Sequence, residues 1–186
     1  ATVFDNEWDG KAVEWDGYLT ADSVVVECGS FKGRWALQIA QRYNPSLYCF
    51  EPQFWAYVVT KEVLKNHKAT VFNFGLGDRY GQFPMANHGT DGCAFDENGR
   101  SMYGTLREIS DGLDLAGIKG IDLMLVNIEG YEYTLIPHMF DVGEFPQRLM
   151  VQCHEGDYDG LIRLIKQHYT NLWSYGRTLT AWERKS

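Results

Sequence analysis

Two short segments combine carboxylates and glycines in a way that can hold a charged ligand. The first reads Glu27-Cys-Gly29-Ser-Phe-Lys-Gly33, an acidic residue followed by G-x-x-x-G. Glycines there let a backbone approach a ligand closely and let a following helix pack on its strand. The second is Phe50-Glu51-Pro52, whose carboxylate can accept both hydroxyls of a ribose. A dinucleotide site calls for G-x-G-x-x-G, so that the pyrophosphate rests on a helix N-terminus. This loop lacks the middle glycine, and Glu27 would repel a diphosphate. A cationic or zwitterionic nucleoside fits the pair better. The plainer alternative is a tight turn beside a solvated acid.

The nucleoside reading requires both segments to lie at one end of a sheet, and the hydrophobic pattern predicts that they do. Ser23–Cys28, Leu47–Phe50 and Ala69–Phe74 read as short inner strands, the last broken by Gly75 and Gly77. Helical spacing follows the first two, through Trp35, Ile39 and Tyr43, then through Trp55, Val59 and Val63. Residues 81–104 are rich in Gly, Asn and Asp and read as a hairpin and long loop inserted beside the substrate pocket. Met85 to Tyr103 is expected to shape that pocket, with Asn87, His88, Asp91 and Cys93. Thr105-Leu-Arg-Glu108 fits a capping box opening a helix through Leu106, Ile109 and Leu113. Strands over Ile121–Ile128 and Arg148–Cys153 alternate with helices over Glu132–Met139 and Tyr158–Tyr169. The tail reads as a β-hairpin around Gly176-Arg177. Alternating strands and helices predict an α/β domain over residues 1–186, with a mostly parallel sheet covered on both faces and one antiparallel strand at an edge. Residues 1–20 read as the N-terminal segment of this single domain. Its repeated Glu-Trp-Asp-Gly reads as turn signals with aromatic anchors, or as a Trp lid.

The ordered set Glu27-x-Gly29-x-x-x-Gly33, Phe50-Glu51-Pro52, Gly75-Leu-Gly77-Asp78 and Asn127-Ile-Glu129-Gly130-Tyr-Glu132 resembles the successive motifs of FkbM-type methyltransferases. The matching order runs from about residue 20 to residue 155. The resemblance implies a Rossmann-like class I methyltransferase fold with a seven-stranded sheet. It also implies S-adenosylmethionine as cofactor and methyl transfer, most often to an oxygen of a small molecule or sugar. Under it, Glu27, Gly29, Ser30, Phe31 and Gly33 hold the methionine part, and Glu51, Pro52 and Gln53 bind and shape the ribose wall. Leu76, Gly77 and Asp78 border the adenine, while Asn127 and Glu129 face the reacting end. Two departures stand out: Leu125 and Asn127 replace the family's basic residue and Asp, and Arg107 replaces an acidic residue.

Methyl transfer to an oxygen gains from holding the acceptor in line and from a base that takes its proton. His154, just past the fifth strand, is the first candidate base, and Glu129 the second; Asn127 can hydrogen-bond but cannot serve as a base. The plainer reading of His154 is a structural histidine at a strand end. Asn127, Glu129 and His154 could together meet a hard cation, but oxygen-rich sites favour more carboxylates, so no metal is expected.

Composition narrows the partners. Charged residues are 23% and apolar ones 45%, an ordinary globular mixture. A net charge of −8 without a basic run argues against nucleic-acid or anionic-membrane attachment. No segment approaches the roughly 20 apolar residues of a membrane helix. Four cysteines without metal spacing read as reduced thiols of a cytoplasmic protein, three of them buried where they close apolar runs. Trp8, Trp15 and Phe31 are candidates to wall the pocket. Losses at Leu125, Asn127 and Arg107 also admit a second reading, a non-catalytic relative that keeps the fold as a cofactor-binding or assembly module. The oligomeric state is not legible.

Overall fold

Short apolar runs bounded by glycine or proline become the inner strands, and amphipathic segments between them become covering helices. The computed structural model describes residues 9–87, 93–95 and 102–186. Along the chain these form α1 (Asp9–Val13), β1 (Val24–Cys28), α2 (Arg34–Tyr43), β2 (Ser46–Phe50), α3 (Phe54–Val63), β3 (Ala69–Phe72) and β4 (Gly75–Gly77). There follow β5 (Gly81–Asn87), β6 (Cys93–Phe95), β7 (Met102–Glu108), α4 (Ile109–Leu115), β8 (Leu123–Val126) and α5 (Glu132–Asp141). The chain closes with β9 (Arg148–Gln152), α6 (Tyr158–His168), β10 (Tyr169–Tyr175) and β11 (Leu179–Arg184).

Among the described residues, seven strands make one sheet in the order β10-β11-β9-β8-β1-β2-β3. Pairing is parallel from β3 across to β9, and β11 runs antiparallel between β9 and β10. The predicted hairpin is therefore present, but its reversed strand lies inside the sheet and not at the edge. The last strand to be made fills the gap beside β9, where Leu179, Ala181 and Trp182 are buried.

Alternation along each strand divides the core into two layers. Val26, Cys28, Phe50, Met124 and Val126 face α4, α5 and α6. Val25, Leu47, Cys49, Leu123 and Leu125 face α1 and α2. Both faces are covered, as a parallel sheet requires.

Four further strands form a second sheet, β4-β7-β5-β6. This overturns two expectations. Gly75-Leu-Gly77 does not merely break a strand, because it is a strand, paired with Leu106, Arg107 and Glu108 of β7. Nor do Thr105 and Glu108 form a capping box: Thr105 and Leu106 lie in β7, and Glu108 itself caps α4 by accepting from Asp111 N at 3.1 Å. Cross-strand contact with β4 and β5 overrides the helical spacing of Leu106 with Ile109 and Leu113. Within the insertion expected to shape the pocket, His88 and Asp91 lie outside the described residues, as does Trp8. No helix among the described residues is long and apolar enough to cross a membrane.

Candidate functional site

Chain order reverses at β1, which has β2 on one side and β8 on the other. In open α/β sheets ligands bind outside the carboxyl ends of the strands at such a point. Cys28 ends β1 opposite Phe50 and Val126, so the loops that begin at Gly29, Glu51 and Asn127 emerge side by side. Gly29 has φ +84, and a Cβ there would lie 2.0 Å from the carbonyl oxygen of Asn127. The two loops touch through their backbones, and only glycine permits it.

The loop after β1 is wound tightly. Phe31 is left-handed at φ +49, and its N–H donates to Glu51 Oε2 at 2.7 Å. Thr60 Oγ1 donates to the Phe31 carbonyl at 2.8 Å and lies 3.5 Å from the buried Ser30 hydroxyl. Gly33 caps α2 at φ +70 with Thr60 beneath it. The Phe31 ring meets Trp55 edge-on, with centroids 5.2 Å apart.

Glu51 is buried, and its second oxygen accepts from Gln53 N at 2.9 Å. Each carboxylate oxygen offers two acceptor positions, so one on each remains after the loop is braced. Burial raises its pKa to about 7, against the pull of those two N–H groups. Glu27 points to the α2 layer beside its register partners Cys49 and Leu125. The Cys49 thiol donates to Glu27 Oε2 at 3.6 Å. Burial pushes Glu27 up to about 8, the thiol opposes this, and the Glu51 charge adds to it. Glu27 is thus a buried carboxylic acid that a neighbouring cation would ionise.

The bond from Asn73 Nδ2 to the Glu51 carbonyl, at 3.0 Å, holds the Glu51-Pro52-Gln53 segment against the end of β3. Leu76 turns into the core, under Gly112, where a Cβ would come within 2.5 Å of it. Only its backbone and that of Gly77 can border a ligand. Asp78 receives the hydroxyl of Tyr131, which ties the second sheet to the loop after β8.

At the other side of the reversal point, Glu129 is left-handed at φ +55 and reaches His154, Oε1 to Nε2, at 3.5 Å. His154 Nδ1 lies 3.0 Å from Glu132 Oε1. Burial pushes the imidazole pKa down, but the hydrogen bonds and charges of Glu129 and Glu132 outweigh it and carry the value up to about 9. The structure therefore brings Glu129 and His154 together, with a carboxylate oxygen facing each ring nitrogen and favouring the protonated imidazole.

Three amide side chains at this edge have buried oxygens without partners: Gln53 Oε1, Asn127 Oδ1 and Gln152 Oε1. Buried amides are normally satisfied, and each exception asks for an explanation. Gln152 lies one step past the Val126–Val151 pairing, beside Asn127, and the sequence reading missed it. Its signal is a polar residue inside the otherwise apolar run Leu149–Cys153. Thr60, Cys49 and Asn73, whose bonds brace these loops, and Glu132, which accepts from the His154 backbone, were also missed. Trp15 does not wall a pocket: it is buried in the α2 layer, where its indole donates to the Ala12 carbonyl at 3.1 Å. Arg107 lies over Phe74 and Tyr80, at 5.2 and 5.5 Å from their centroids. No group of three metal-binding side chains occurs among the described residues.

No protein-family model matches the chain, and no curated protein matches it in sequence. Solved structures do match it in shape. An rRNA methylase from Streptococcus thermophilus shares 14% identity at a TM-score of 0.59, over 96% of this chain and 94% of that one. M. capricolum TrmK, in complex with S-adenosylhomocysteine, shares 8% at 0.54, over 97% and 69%. The Podospora anserina methyltransferase PaMTH1, also bound to S-adenosylhomocysteine, shares 10% at 0.54, over 88% and 72%. With its mainly parallel seven-stranded sheet and reversed β11, the chain has the Rossmann-like fold of these methyltransferases.

Proposed function

We propose that this chain is an S-adenosylmethionine-dependent methyltransferase of the FkbM type, acting on a hydroxyl oxygen of a small molecule or sugar. The observation that carries the reading is the cradle at the reversal point. Gly29 is closed to any side chain, Glu27 and Glu51 are buried acids, and the side-chain oxygens of Gln53 and Asn127 are buried without partners beside them. These groups fit the proposed cofactor: Glu27 would accept from its ammonium, Glu51 and Gln53 from its ribose hydroxyls, and Gly77 and Asp78 would border its adenine edge. Bound there, S-adenosylmethionine would supply an electrophilic methyl group on a sulfonium, with a neutral thioether as its leaving group. Asn127 orients, since an amide takes no proton. Glu129 takes the hydroxyl proton, and His154 sits beside it as the cation that steadies the carboxylate. The order of the four sequence motifs supports the FkbM assignment.

An RNA acceptor is the other class suggested by the structural neighbours. The net charge of −8 favours a small acceptor over a phosphate backbone. The free, buried thiols of Cys28, Cys49 and Cys153 suit a reducing compartment such as the cytoplasm. Calorimetry with S-adenosylhomocysteine tests the cofactor directly, and no binding at millimolar ligand would sink the reading. The second reading, a cofactor-binding module without turnover, is favoured by the two carboxylates that face the His154 ring, which hold its proton and weaken it as a base. Cofactor binding with no methyl transfer across a broad panel of hydroxylated acceptors would select it.

A further inference from the structure

One buried carboxylate at the reacting end has no part in the chemistry above. Glu132 opens α5 and is fully buried. Its Oε2 accepts from Gly130 N at 2.8 Å, and its Oε1 accepts from the backbone N–H of His154 at 2.7 Å and faces Nδ1 at 3.0 Å. One side chain thereby joins the loop after β8 to the loop after β9. Glu129 faces the other ring nitrogen. An imidazole with a carboxylate oxygen at each nitrogen satisfies both only when both carry hydrogen.

We propose that Glu132 is a positioning residue: it fixes His154 between the two loops, keeps its ring doubly protonated against Glu129, and so reserves the acceptor's proton for Glu129. The other groups around the ring do not supply this effect. Tyr133 donates its hydroxyl to the His154 carbonyl at 2.6 Å, not to the ring. Cys153 is a buried thiol whose pKa burial and the Glu132 charge push up to about 12. From α6 and the β10–β11 turn, Arg177 pairs with Asp159 at 3.3 Å and covers the Tyr158 ring. Glu132 is the one buried carboxylate among these neighbours.

The proposal rests on the methyl-transfer reading only for the identity of the proton that Glu129 receives, so the two can fail separately. The probe is the pH titration of the His154 Cε1–H resonance by NMR, assigned through its loss in His154→Gln. In the wild-type chain the midpoint is expected well above the ordinary histidine value. In Glu132→Gln, which keeps the volume and one acceptor oxygen, it should fall by at least about one pH unit, a tenfold loss of proton affinity. Glu129→Gln, at a more exposed position, should also lower it and serves if the buried variant fails to fold. A wild-type midpoint near the ordinary value, or one that Glu132→Gln leaves in place, overturns the assignment. S-adenosylhomocysteine should bind Glu132→Gln within about threefold of wild type, because a fold-wide defect would abolish binding. Failure of the wild type itself to bind that ligand would count against the methyltransferase reading and leave the titration result intact.

Discussion

At Gly29 the backbone torsion and the space available make the same demand. The residue sits at φ +84, where an L side chain costs about 1 kcal/mol, and any Cβ would collide with the Asn127 carbonyl at 2.0 Å. Gly17 has a similar torsion, φ +76, but nothing within 4 Å of the missing Cβ. The pair separates strain from collision. Gly17→Ala is expected to cost about 1 kcal/mol in urea denaturation. Gly29→Ala should cost about 2–4 kcal/mol, since overpacking adds its own penalty, and should weaken S-adenosylhomocysteine binding as the loops part. Equal losses at the two positions would mean that the loop after β8 yields freely and that the contact does not shape the site. Glu51 works on the same scale. It braces the backbone of the loop after β1 through the Phe31 N–H, so its truncation would damage shape as well as charge.

At the scale of elements, Glu108 does the work that a capping-box reading gives to Thr105. Its side chain accepts from Asp111 N at 3.1 Å and meets His138 Nε2 at 2.7 Å, which ties the start of α4 to α5. Glu108→Ala is expected to lower stability by about 1–2 kcal/mol, and Thr105→Ala by no more than about 0.5 kcal/mol. Urea midpoints would decide, and the reverse order would restore the capping box. The inner strands and the amphipathic helices were legible because burial on both faces leaves continuous apolar runs, and one buried face leaves helical spacing. Gly29 and Glu51 were legible because they stand at strand ends. What failed depended on partners distant in sequence. Gly75-Leu-Gly77 looks like a break until β7 lies beside it, and Leu106 looks helical until β4 claims it. Glu132 stood in a sequence motif and Gln152 inside an apolar run, but neither told its partner, since only the meeting of β8 and β9 brings them to His154 and Asn127.

Across the whole molecule, buried ionisable groups on both sides of the reversal point couple stability to pH in the same direction. Glu27 binds its proton more tightly when folded, near 8 against an ordinary 4.5, so its contribution is complete below about 4.5 and is lost as pH rises through 8. Glu51 acts likewise, between 4.5 and about 7. His154, raised from 6.5 to about 9 by its carboxylates against burial, stabilises fully below about 6.5 and ceases to as pH passes 9. The ligand-free chain is therefore expected to melt at a higher temperature at about pH 6 than at about pH 9, and Glu27→Gln should flatten the lower part of that slope. If, as proposed, a cofactor ammonium sits beside Glu27, it would reverse the balance by favouring the ionised carboxylate, and binding would expel the proton that burial retains. At about a hundredfold excess over its Kd, S-adenosylhomocysteine should add about 2.7 kcal/mol of stability. Calorimetry at about pH 7 in buffers of different ionisation enthalpy should report proton release on binding by the wild type and little release in Glu27→Gln. Release that persists undiminished in Glu27→Gln would move the ammonium away from β1 and return the acid to the core as a merely buried group.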